Sequence, residues 1–61
     1  MELQEVQFDS KVRDSVIGLT GVVVSKVEYR DGTKALGVQY VDGDLRVVTE
    51  YVPLDRVVTV P

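Results

Sequence analysis

The chain contains no cysteine, no histidine and no tryptophan. Without cysteine there is neither a disulfide nor a thiolate metal site, and without histidine the commonest metal ligand and the commonest general base are missing as well. Ser15, Ser25 and the threonines therefore have no imidazole to activate them, which removes the usual nucleophilic triad. No apolar run approaches the roughly 20 residues of a membrane-spanning helix. The opening MELQEVQFDS is acidic and polar where a signal peptide is basic and then apolar. These absences predict a protein with no membrane span and no cofactor, made and kept in a cytoplasm-like compartment.

Positive charge is also sparse. Seven basic side chains stand against ten acidic ones, for a net charge of −3. The basic residues Lys11, Arg13, Lys26, Arg30, Lys34, Arg46 and Arg56 are scattered, whereas sequence-independent nucleic-acid binding needs a clustered basic face that displaces counterions. Net charge thus counts against a nucleic-acid partner. The 61 residues make one domain at most, and a chain this short buries only about 60% of the surface exposed when unfolded. Help from oligomerisation or from a partner is expected.

What the chain does have is valine and tightly spaced turns. Gly18 to Tyr29, GLTGVVVSKVEY, runs from a glycine-punctuated turn into the longest strand pattern, rich in β-branched residues. Alternation slips at Val22-Val23-Val24, and a β-bulge or bend near Ser25 would reconcile it. Lys11 to Asp14 reads as a short strand with Val12 inward. Asp31-Gly32 predicts a type I′ hairpin turn leading to a strand from Ala35 to Tyr40. On that strand Leu36, Val38 and Tyr40 share one face, and Gly37 marks a close approach. Asp42-Gly43 predicts a second turn, followed by a strand from Leu45 to Val52 that Pro53 ends. Pro53 to Arg56 reads as a helical or 3-10 turn and Val57 to Val60 as a last strand closed by Pro61. Residues 1–8 are expected to be an arm or short strand, held by the barrel or by a neighbour, and 9–61 the folded unit. The class is all-β: a small antiparallel barrel of about five or six short strands with one 3-10 turn before the last.

Two motifs carry a resemblance. Phe8-Asp9-Ser10-Lys11-Val12 followed by Gly18-Leu19-Thr20-Gly21-Val22-Val23-Val24 resembles the opening of SH3-like barrels of the KOW type, and the likeness extends over roughly Phe8 to Val60. The chain also resembles small phage and prophage proteins with the pattern VxDxxTGxxGVVxxRxEYxxG. Val12, Asp14, Gly18, Gly21, Val22, Val23, Glu28, Tyr29, Gly32, Val38, Gln39, Val52 and Pro53 occupy matching positions, with Val52 standing where an aromatic is also frequent, while Ser10, Ile17 and Lys26 depart from the usual residues. The resemblance implies an SH3-like barrel and a phage-type structural or accessory role. The virion is then a destination after synthesis in the cytoplasm.

Candidate sites are few. Asp42-Gly43-Asp44 lacks the further oxygen ligands of a calcium loop and reads as a turn. Paired carboxylates for acid–base work need a sheltered cleft, and a barrel of this size offers little room for one of several hundred Å³. A non-enzyme is expected, although a site shared by several copies at a symmetry axis is the alternative. Tyr29, Tyr40 and Tyr51 with Arg30 or Arg46 fit either a stacking platform for single strands or, more simply, the core and rim of a small barrel. In the valine runs neighbours point to opposite faces, so some face outward, as at a subunit interface. Phe8, Leu19, Val22, Val24, Tyr29, Arg30, Val48 and Tyr51 are the expected partner-binding residues. The partner is a larger protein assembly, such as a capsid, or further copies of this chain. The second reading is a KOW-like module binding RNA, ribosome or RNA polymerase, for which Lys11, Arg13, Lys26 and Lys34 would have to assemble into one patch. An acidic inhibitor of a host protein is the third.

Overall fold

The computed structural model describes residues 2–60. Met1, where the arm is expected to begin, and Pro61, expected to close the last strand, lie outside the described residues. Five strands form one antiparallel sheet: β1 (Lys11–Asp14), β2 (Thr20–Glu28), β3 (Lys34–Val41), β4 (Val47–Pro53) and β5 (Val57–Thr59). Their order is β4-β3-β2-β1-β5, so β2, β3 and β4 form a meander and the last strand returns beside the first. A 3-10 turn at Leu54–Arg56 precedes β5. The protein is a small SH3-like antiparallel barrel of five strands.

The slipped alternation in β2 has the expected cause. Val23 pairs with Val38 but Ser25 pairs with Gly37, leaving Val24 as the extra residue of a β-bulge. The extra residue bends the strand and raises its twist. The first half of β2 therefore pairs with both β1 and β3, and beyond the bend β2 pairs with β3 alone. At that corner the Asp9 N–H donates to the Val23 carbonyl (2.8 Å) and the Val23 N–H to the Ser10 carbonyl (3.1 Å).

One side of the sheet encloses the core. Val6, Val12, Val23, Leu36, Val38, Val52 and Val57 are buried together, with Leu3, Leu19 and Leu54 packed against them. The N-terminal segment forms no strand and packs on the barrel: Leu3–Glu5 is a 3-10 turn that delivers Val6 into the core. Val6 closes the open end of a core too small to be covered by its strands alone.

The first hairpin differs from the expected type I′ turn, and the second has the same geometry as the first. In the first, Tyr29 N–H donates to the Thr33 carbonyl and Gly32 N–H to the Tyr29 carbonyl, and within that loop only Gly32 is left-handed, at φ 93°. In the second, Asp42 N–H donates to the Arg46 carbonyl and Leu45 N–H to the Asp42 carbonyl, and the left-handed residue is Leu45, at φ 62°. Each is a three-residue loop that ends in one left-handed position. Leu45 therefore belongs to the turn, and β4 starts at Val47, two residues later than the alternation predicts.

Candidate interaction surface

Strand pairing fixes which side chains share a face. On β2, β3 and β4 the residues on the side away from the main core cluster lie in four rows: Val22, Gln39 and Thr49; Ser25, Gly37 and Tyr51; Val27, Ala35 and Pro53; and Val41 with Val47; Ala35 and Gly37 are buried, and the exposed members are Val41 and those of β4. None of these is charged. The charged residues of the same strands, Lys26, Glu28, Lys34 and Glu50, sit in the other rows, with Lys26 opposite Leu36 and Glu50 opposite Val38. That is the reverse of an ordinary half-buried sheet, whose solvent face carries the charge.

The face is filled in its middle and open at one end. Ser25 Oγ lies where a Cβ on Gly37 would stand, and Tyr51 Cε1 would be 3.4 Å from that Cβ. The Tyr51 ring thus leans over a backbone that has no side chain of its own, as aromatics do beside strand glycines. Towards the β3–β4 hairpin, Val41 and Val47 are 60% and 66% exposed, and Leu45 at the tip is 86% exposed. The β1–β2 loop, with Val16 and Ile17 also exposed, lies at this same end, because β2 begins just after it. Asp42 organises the tip: its Oδ1 accepts the N–H groups of Asp44 and Arg46, both at 2.9 Å.

The loop of Val16 and Ile17 is anchored through Asp14. Its Oδ1 accepts the Val16 N–H at 2.9 Å and Arg56 Nε at 3.2 Å, and its Oδ2 accepts Arg56 Nη2. The hydrogen bond from Arg56 holds the Asp14 carboxyl below its ordinary pKa against the opposing effect of burial, and Asp14 raises the pKa of Arg56 in return. In the first hairpin, Thr33 donates to Asp31 through its hydroxyl and its N–H, which lowers the Asp31 pKa.

The residues expected from the sequence do not form one patch. Tyr51 and Val22 lie on the uncharged face; Phe8 and Val24 lie exposed around the bulge, where Lys26 Nζ stands 4.9 Å from the Phe8 ring centre. Tyr29 and Arg30 are exposed at the β2–β3 hairpin. Leu19 packs on the core and Val48 is half-buried in the row shared with Tyr40. The more exposed group at the β3–β4 end, Val41, Leu45 and Val47, is missing from that set. Reading Asp42-Gly43 as a two-residue turn puts Leu45 in a strand; counting a three-residue loop would have exposed it.

Basic residues are divided. Lys11 and Arg13 alternate with buried Val12 and Asp14 and point outward from β1, whereas Lys26 and Lys34 lie in the opposite rows, Lys34 across from Glu28. A concavity of about 450 Å³ lined by Thr33, Lys34, Pro53, Leu54 and Asp55 is larger than expected for a barrel of this size, and it contains a single carboxylate. Among the described residues no group of three or more acidic side chains could hold a metal ion, and no helix is long and apolar enough to cross a membrane. Comparison with protein-family models, curated proteins and solved structures returns no match to this chain.

Proposed function

We propose that this protein is a non-enzymatic structural or accessory subunit of the phage type, which binds a larger protein assembly such as a capsid. The observation that supports it is the uncharged outer face of β2–β3–β4, which ends in a left-handed, 86% exposed leucine at position 45. A leucine in that conformation is disfavoured by roughly 1–2 kcal/mol, and its exposure recovers nothing through burial. Backbone strain of this kind concentrates at functional positions. Exposed apolar side chains at Val41, Leu45 and Val47, with the Asp42–Arg46–Asp44 ion pairs beside them, have the make-up of an interface patch with an apolar centre and a polar rim.

Co-sedimentation tests the reading. The chain is mixed with assembled phage particles from its source and run on a density gradient, beside Leu45→Asp and Val47→Asp variants. The protein migrates with the particles and both variants stay at the top. If the unmodified chain also stays at the top, the assembly reading is wrong.

A further inference from the structure

The structure leaves one long sheet edge open, and we infer that it pairs with the same edge of a second copy, about a two-fold axis at Thr49. β4 pairs only with β3, and its seven residues end the sheet. The opposite edge, β5, has three. Proteins usually protect a long edge with lysine, a bulge or a covering element. β4 carries no lysine and no bulge, only Glu50 at its centre and Pro53 at its end.

The hydrogen-bond phase of the hairpin tells which groups face the open side. Asp42 and Arg46 bond to each other across the hairpin, and antiparallel ladders alternate bonded with unbonded pairs. The bonded pairs on this register are therefore Tyr40 with Val48, Val38 with Glu50 and Leu36 with Val52. Val47, Thr49 and Tyr51 then turn their N–H and carbonyl groups outward. No backbone bond from these three to a loop, turn or cap is present among the described residues.

Those three residues select one register. A two-fold at Thr49 places Thr49 opposite itself and Val47 opposite Tyr51 of the second copy. This makes three bonded pairs, with about six main-chain hydrogen bonds. It sets a β-branched residue beside an aromatic on the uncharged face, a favourable cross-strand pair. On the other face Glu50 stands opposite Val48, with Arg46 and Glu50 of the second copy as its two diagonal neighbours, one of opposite and one of like charge. A two-fold at Glu50 would oppose two carboxylates and bring Pro53, which has no N–H, opposite Val47. One at Val48 would leave Tyr51 facing Leu45, whose N–H is already used in the turn. Only the Thr49 register uses every open group without opposing like charges. The dimer would join two uncharged faces into one surface, so the inference extends the proposed reading by naming one partner and rests on that reading's view of the face as an interface.

Sedimentation velocity over a concentration series up to millimolar, with amide hydrogen exchange followed residue by residue, tests it. The chain dimerises, and the amides of Val47, Thr49 and Tyr51 gain protection as concentration rises while those of Val48 and Glu50 are protected throughout. Thr49→Lys sets two like charges opposite each other, and Thr49→Pro removes an open N–H without breaking the β3 ladder; both give monomers with unchanged circular dichroism. A monomer at every concentration overturns the inference, as does a dimer indifferent to both variants or one whose three amides exchange freely. A dimer that never joins phage particles leaves this inference standing and removes the assembly reading; a monomer that does join them has the reverse effect.

Discussion

Asp14 on β1 and Arg56, 42 residues later in the 3-10 turn before β5, form a two-bond contact across the closing corner of the barrel. Asp14 is the one charged residue buried among those described, 2% exposed. Its backbone joins the same corner: its N–H donates to the Leu19 carbonyl, and its carbonyl accepts the Gly18 N–H, both at 2.8 Å. A buried carboxylate is tolerated when a cation and hydrogen-bond donors satisfy it.

The first prediction follows from the sign of that pKa shift. With its folded pKa held below the ordinary 3.8, Asp14 contributes stability that is complete above the unfolded value and is lost as pH falls through the folded one. Asp31, lowered by Thr33, acts in the same direction. Arg56→Met leaves the carboxylate without its cation, so urea melts at pH 7 give a clearly lower midpoint. At pH 3 the gap to the unmodified chain narrows, because the variant's carboxyl is protonated and the unmodified chain has lost part of its own gain. A gap of equal width at both pH values contradicts this account.

Two glycines should differ in their response to a methyl group. A Cβ on Gly21 would collide with the Gln39 carbonyl oxygen and stand 2.8 Å from Val38 Cγ1, and backbone cannot move aside as a side chain can. Gly21→Ala is expected to cost about 1–3 kcal/mol. Gly43, in the second hairpin, has nothing within 4 Å of a Cβ and no left-handed backbone. Gly43→Ala changes stability by less than about 0.5 kcal/mol in either direction. Thermal melts of the two variants side by side decide it.

The strands were legible because period-2 burial writes itself into the sequence. Val12, Leu36 and Val38 are inward where alternation puts them, and the Val22-Val23-Val24 run marks the bulge because three consecutive valines cannot all obey one register. Turn geometry was less legible. Asp-Gly is compatible with more than one loop length, and the choice depends on which main-chain pair closes the hairpin. The N-terminal 3-10 turn is not legible, because Val6 and Phe8 alternate like strand residues, while the need to cap the core decides their placement. The uncharged face emerges only when three strands are laid in register, since each strand alone carries charge.

Val6 gives a direct test of the N-terminal segment. It is buried in the core cluster beside Val12 and Val57, while its neighbour Gln7 is exposed. Val6→Ala removes the equivalent of two methylenes from the interior and is expected to cost about 1.5 kcal/mol. Gln7→Ala, which leaves the backbone carbonyl that binds Ser10 in place, stays near zero. Equal melting temperatures for the two variants would mean that the segment does not cover the core in solution.

Leu45 separates stability from binding. Its φ of 62° is the conformation that glycine adopts at Gly32 in the equivalent position of the other hairpin, and only glycine does so without a Cβ clash. Relief of that clash outweighs the extra freedom glycine gives the unfolded chain. Leu45→Gly is therefore expected to be more stable by about 0.5–1 kcal/mol, read as a higher urea midpoint with an unchanged slope. On the proposed reading the same variant loses retention on phage particles, because the side chain removed is the most exposed apolar group at the end of the uncharged face. A strained, exposed side chain that raises stability when deleted and abolishes association has been retained for contact and not for folding. A fall in stability for Leu45→Gly would instead assign the leucine a part in the fold and remove the strongest support for an interface at the β3–β4 tip.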